Sequence, residues 1–383
     1  MNIEKGEGLT NVLFHEKKDI TEDANKIQEK LENFIENNPA EFNESDEDSL
    51  MGKYEELEKR GLKGVLHVIH QETPSSELLL RSLPEKWKKK YYHRLHIISD
   101  ESAAGYSKEL TSGIIRPEDD VVGISKDGII SLANKKRLEE ALKNRVGVIS
   151  GGGPGNPKDP FYLPLLKAME KGLREKTPGA GICLGHQLYG ELILNSLRKE
   201  SEGVVPGYLE GTTSIESVTD EGKKNKVFEK LGDQFTVASF NEYHLVVPVQ
   251  KRDEFSHGKV LTRSMATDYP TSLSLHGEVE DQVITTQRHP EIGMKGAGED
   301  VILEDKKFNL PSGKEIIIPA GNHTDMLLLA KYFVFNYDKL NKKYGFTEED
   351  IQDLFIKERM ATHLGKNFYG PLLGYMADLR LKQ

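Results

Sequence analysis

The chain has 383 residues, 37% of them hydrophobic, and a formal net charge of −10 at neutral pH, a length that suits one large domain or two ordinary ones. The acidic balance argues against a general binder of nucleic acid or of anionic membranes, and no run reaches the ~18 apolar residues of a membrane span. The N-terminus lacks a basic-then-apolar signal pattern, and the single cysteine, Cys183, excludes an internal disulfide framework and fits a reducing, cytoplasmic compartment.

In chain order, residues 1 to 90 read as a mainly helical N-terminal extension without a motif. Thr21 is placed to cap a helix with Ile27, Leu31, Phe34 and Ile35 on one face, stopped at Asn37-Asn38-Pro39. Glu41 to Ser49 reads as an acidic, solvated link, and Tyr54 to Arg60 as a second helix ended by Gly61. Gly64 to His70 is an apolar, strand-like run, and Ser76 to Leu83 reads as helix limited by Pro84. Lysines are mixed with aromatics over 85–92. A helix with solvated lysines and inward aromatics is favoured there over a phosphate contact in so acidic a chain.

A domain over 91–340 begins with the strand Arg94 to Asp100. Short strands follow at 121–125 and 128–131 about the Lys126-Asp127-Gly128 turn, then a helix over 135–143 with Leu138 and Leu142 on one face. Arg145 to Ser150 reads as a buried strand leading into the loop Gly151-Gly152-Gly153-Pro154-Gly155-Asn156-Pro157, and 164–175 as a helix with Leu165, Leu166, Met169 and Leu173 inward. A strand, Gly181-Ile182-Cys183-Leu184-Gly185-His186-Gln187 and a helix from the cysteine to Leu197 come next. This alternation predicts an α/β fold, a mostly parallel central sheet with helices on both faces. It places the glycine loop and Cys183 on one edge, beyond the carboxyl ends of the strands.

From 203 to 288 the pattern turns strand-rich, clearest at 235–240, 245–249 and 282–287. The last of these runs leads into Gln287-Arg288-His289-Pro290-Glu291. An insert at 292–322 contains a predicted hairpin over 308–318, read either as a lid or acceptor contact or as a passive surface hairpin. Asp325 to Tyr337 reads as a closing helix. A helical C-terminal tail covers 341–383, with Thr347 capping a helix and 368–373 as a docking segment.

A Gly-x-Cys-x-Gly run between strand and helix is the thiol form of the tight turn that exposes a nucleophile on an α/β sheet, and a helix N-terminus stabilises a thiolate. Gly-Ile-Cys-Leu-Gly-His-Gln resembles the active-site run of class I (triad-type) glutamine amidotransferases. The glycine loop resembles that family's oxyanion loop, and His289-Pro290-Glu291 its His-x-Glu motif, all in the family's order. The resemblance implies a flavodoxin-like fold and a triad of Cys183 as nucleophile, His289 as proton carrier and Glu291 as the carboxylate behind it. It further implies an oxyanion hole from the N–H groups of Gly153 and Leu184, and glutamine contacts from Gly155 and Gln187. Tyr243 and His244 fall in a looser match to the segment that grips the amino-acid end of the substrate, with a plain strand end as the equal alternative. Arg288 stands where an aromatic residue is usual in the family.

No P-loop or ATP-grasp pattern is found, no cofactor or metal is expected, and the acceptor of ammonia is unidentified. The implied activity is a glutaminase working on glutamine or a γ-glutamyl substrate, with a synthase partner or an acceptor handled by the extension and insert. A γ-glutamyl hydrolase with the same triad and a silent binding protein on the same fold are the alternatives.

Overall fold

The computed structural model describes residues 44–70, 83–100, 118–153, 155–197, 204–206, 213–238, 243–245, 253–265, 270–290, 302–310, 312–318 and 362–383, with isolated positions elsewhere. The helices expected over 21–35, 76–83, 325–337 and 347–355 lie wholly or almost wholly outside them.

Helix α1 (Glu44–Lys59) begins ten residues earlier than its apolar pattern suggests. Leu50, Tyr54 and Leu57, at i, i+4 and i+7, are all buried and anchor the helix, so the acidic stretch expected to be a link becomes its solvated first turns. β1 (Lys63–His70) follows, then α2 (Glu85–Tyr91), which turns Trp87 and Tyr91 inward and leaves most of its lysine stems at the surface.

β2 (Tyr92–Ser99) and β3 (Asp120–Ile124) come next. Residues 128–131 do not form the expected strand. Ile129 and Ser125 close a backbone turn, Ile129 is 70% exposed, and the Ser131 hydroxyl accepts the Asn134 N–H to cap α3 (Leu132–Leu142). With Ile129 left largely in solvent, the segment gains more from capping a helix than from extending a sheet.

The chain continues through β4 (Arg145–Ser150), α4 (Leu163–Arg174), β5 (Gly179–Ile182), α5 (Leu184–Leu197), β6 (Val204–Pro206), β7 (Thr213–Val218), β8 (Gln234–Ala238) and β9 (Tyr243–Leu245). β10 (Glu254–Phe255), β11 (Gly258–Ser264), β12 (Pro270–Leu275) and β13 (Val283–Thr286) follow. The hairpin expected in the insert is present as β14 (Lys306–Asn309) and β15 (Glu315–Ile318), and α6 (Thr362–Leu381) ends the chain.

Eleven strands form one sheet in the order β3-β2-β1-β4-β5-β13-β12-β11-β7-β8, with β10 beside β11. The strands from β3 to β13 run parallel, and from β13 onward the pairing is antiparallel. One face carries α1, α2 and α6 over Val65, Ile149 and Ile182; the other carries α3, α4 and α5 over Leu66, Leu95 and Val148. Short βα connections and helices on both faces are what a parallel sheet requires.

The boundary expected at residue 91 therefore cuts through the fold. β1 lies between β2 and β4, pairing parallel with both, so the strand assigned to the extension sits inside the sheet. Nearly every β1 residue is buried on both faces, which only an interior strand achieves. Segment 368–373 is part of α6, whose Tyr369, Leu372, Leu373 and Met376 are fully buried.

Candidate functional site

The parallel strands deliver their ends to one edge. The glycine loop leaves β4, and the Gly151 N–H donates to the Val68 carbonyl of β1 at 2.9 Å. The turn at Cys183 joins β5 to α5, and its N–H donates to the Thr286 carbonyl, the last residue of β13, at 2.8 Å. The Gly185 N–H donates to the Gly151 carbonyl at 3.1 Å. Loop, cysteine turn and the segment carrying His289 are thus tied together by backbone bonds alone. The tie requires glycine at 185, where a Cβ would overlap the Ser150 carbonyl.

Cys183 is buried and has φ of +50°, a left-handed conformation that costs a non-glycine residue about 1–3 kcal/mol and persists only where its surroundings enforce it. A Cβ on Gly152 would stand 2.7 Å from His289 Cε1 and 3.4 Å from Cys183 Cβ. The imidazole and the sulfur-bearing carbon therefore flank the same point above the glycine loop. His289 is itself buried. Two of the three expected triad members are brought together across 106 residues of chain; Glu291 lies outside the described residues.

Leu184 opens α5, so its N–H is one of those without an acceptor within the helix. Gly153 follows Gly152 in the same loop, and Gly155 (φ +149°) lies against Tyr162, whose hydroxyl a Cβ there would meet at 2.5 Å. Gln187 is buried, and its amide donates to the Gln287 side-chain oxygen at 3.1 Å. It spans between the helix after Cys183 and the segment before His289. Tyr243 and His244 lie in β9, which pairs antiparallel with β6 and rests against α5. Their backbone is thus beside the helix that Cys183 starts.

Several polar residues near this edge were not singled out from sequence. His70 Nε2 bonds Ser150 Oγ at 2.9 Å, and its ring meets Tyr162 edge-on. His67 Nδ1 bonds the Tyr92 hydroxyl at 2.5 Å. Burial pushes the His70 imidazole down to about 3, and burial, then Arg94, holds His67 well below the usual histidine range. Both are neutral at neutral pH.

Arg288 is 1% exposed and its Nε donates to Oε1 of Glu216, 0% exposed, at 2.7 Å. The other Glu216 oxygen accepts the Thr271 hydroxyl. The available sequence signal was the strand parity of Glu216, which shares a face with buried Val218, and a lone acid on such a face calls for a buried cation. Among the described residues, His276, Glu280 and Asp281 hold potential ligand atoms close together. However, His276 Nδ1 already accepts the Asp281 N–H, and Lys259 pairs with both carboxylates. This is an ion network of the protein itself.

Residues 128–308 match the family model described as glutamine amidotransferase class-I. The pyrimidine-specific small chain of carbamoyl phosphate synthase from Bacillus subtilis (strain 168) is 38% identical over 76 residues, 17% of this chain and 20% of that one. The carbamoyl phosphate synthase small chain of Streptococcus pyogenes serotype M3 is 46% identical over 52 residues, 13% of this chain and 14% of that one. The matches span a fifth or less of the length of these curated relatives. Among solved structures, SMU.1228c aligns over 82% of this chain and 98% of its own, with 14% identity and a TM-score of 0.44. The glutaminase domain of Trypanosoma brucei CTPS with bound acivicin aligns over 60% and 86%, with 11% identity and a TM-score of 0.38. Over residues 128–308, this chain carries a class-I glutamine amidotransferase domain.

Proposed function

We propose that this domain is a glutaminase that hydrolyses the side-chain amide of glutamine through a thioester on Cys183. The observation that carries the reading is the left-handed turn at Cys183 with the His289 imidazole flanking the same point above Gly152.

The thiolate of Cys183 attacks the amide carbon and forms the C–S bond, and the carbonyl electron pair moves to oxygen. The N–H groups of Leu184 and Gly153 receive that oxyanion; losing one such donor typically raises a barrier by about 3–4 kcal/mol. His289 as imidazolium protonates the amide nitrogen as the C–N bond breaks, and ammonia leaves. Water, deprotonated by the now neutral imidazole, attacks the thioester; glutamate departs and the thiolate and imidazolium are restored. Glu291, two residues after His289, supports the charged ring. Gly155, Gln187 and the β9 segment with Tyr243 and His244 border the substrate, and the Gln187 amide also braces the two segments through its bond to Gln287. Ammonia passes to an acceptor reaction on a partner synthase, as the relatedness to synthase small chains suggests.

The test is ammonia release from glutamine, with and without proteins recovered by pull-down, beside a Cys183→Ala control. The reading expects glutamate and ammonia in equal amounts, none from the control, and covalent labelling of Cys183 by a glutamine-analogue electrophile. Cleavage of γ-glutamyl amines or peptides without turnover of glutamine would instead identify a γ-glutamyl hydrolase. Failure of both turnover and labelling, with recovered partner present, would make the domain a binding module.

A further inference from the structure

The buried ion pair between Arg288 and Glu216 adjoins the residue on which the proposed chemistry turns. Arg288 immediately precedes His289, and Glu216 sits on β7, three places from β13 across the sheet. The two side chains together therefore span β12 and β11. The contact is not isolated: Thr271 of β12 donates to the other carboxylate oxygen of Glu216, and Thr262 of β11 is 2.8 Å from the Thr271 hydroxyl and donates to Ser272 Oγ at 2.7 Å. The Gln287 N–H donates to the Thr271 carbonyl at 2.7 Å, and the Arg288 N–H to Thr286 Oγ1 at 3.1 Å. A polar row thus crosses the antiparallel arm and ends on the two residues before His289.

Burying an ion pair at 0–1% exposure is seldom the cheapest way to fill a core; an apolar pair of similar volume serves stability as well or better. What the pair adds is a fixed direction. With Arg288 drawn toward β7, the next side chain is turned toward Gly152 and Cys183, where His289 is found. We propose that Arg288 and Glu216 are positioning residues: their ion pair, braced by Thr271, holds the His289 imidazole against the Cys183 sulfur. This rests on the glutaminase reading for its consequence in turnover, but the placement of the imidazole can be measured without substrate.

Because Cys183 is the sole cysteine, its alkylation by iodoacetamide (carbon–sulfur bond formed, iodide and a proton released) reports only this thiol. Full-length wild type, His289→Ala, Glu216→Gln, Arg288→Met and the double variant Glu216→Leu/Arg288→Met would be compared at neutral pH, each checked for a cooperative thermal transition. The double variant removes both charges at once, so it retains the fold even if a single variant does not. The expected result is that wild type alkylates roughly tenfold faster than His289→Ala, since the thiolate is the reacting form. Every folded ion-pair variant falls to the His289→Ala rate. In parallel, kcat for ammonia release drops roughly 100-fold in the double variant with KM for glutamine little changed, the mark of misplaced chemistry rather than lost binding. A folded double variant that alkylates like wild type overturns the proposal, as does a wild type no faster than His289→Ala. Fast alkylation without ammonia release from wild type, with the recovered partner present, would sink the glutaminase reading and leave this inference standing.

Discussion

At the scale of single residues, the site is a problem of clearance. Gly152 has no side chain because His289 and Cys183 occupy the space a Cβ would need. Gly152→Ala inserts a methyl group 2.7 Å from His289 Cε1 and is expected to displace the ring. A displacement of about 1 Å costs roughly 100-fold in rate, so ammonia release should fall by that order while the melting transition stays cooperative. Cys183 illustrates the reverse case, a side chain kept in a backbone conformation that glycine would occupy more comfortably. Cys183→Gly is expected to abolish turnover and yet leave stability equal or higher, measured as a urea midpoint.

At the scale of elements, the C-terminal helix has a larger role than a peripheral tail. α6 lays Leu372, Leu373, Met376 and Ala377 on the face shared with α1, and the Tyr375 hydroxyl donates to the Asp281 carbonyl at 2.6 Å. Met376 packs directly on Gly147 of β4, the strand that launches the glycine loop. Met376→Ala is expected to cost about 2–5 kcal/mol of unfolding free energy, read from denaturant melts. Ending the chain before Thr362 uncovers these residues and should abolish cooperative unfolding. Surface ion pairs such as Arg60–Glu56 and Arg174–Glu170 lie in solvent, and their removal should be nearly neutral.

At the scale of the whole molecule, buried imidazoles make stability depend on pH. His70 is held near 3 and His67 well below its usual 6.5, with burial the leading cause in each. Below pH 6.5 the unfolded chain takes up protons that the folded chain refuses, so stability is complete above that pH and declines as the pH falls toward the folded values. Each fully buried histidine should remove about 2 kcal/mol between pH 6.5 and 5. Urea midpoints across this range test the sign, and His70→Gln should flatten the slope. No helix among the described residues is long and apolar enough to cross a membrane.

The sequence by itself determined the local grammar. Strand 145–150, the glycine loop, the cysteine turn and the helix after it were legible because each is specified by neighbours within a few residues: apolar runs, glycines, a capping position. The edge on which the loop and Cys183 meet also followed, since parallel strands ending in loops share their carboxyl side. Only the tertiary structure decided that β1 belongs inside the sheet, because one apolar run of seven residues reads alike whether its two neighbours are strands or solvent. It likewise decided what Arg288 is for. The partner, Glu216, is 72 residues away, and a charge pair across three strand positions leaves no periodicity in the chain. Short-range pattern encodes which residues are buried; which buried residues touch is set by strand order, and that is a property of the folded sheet alone.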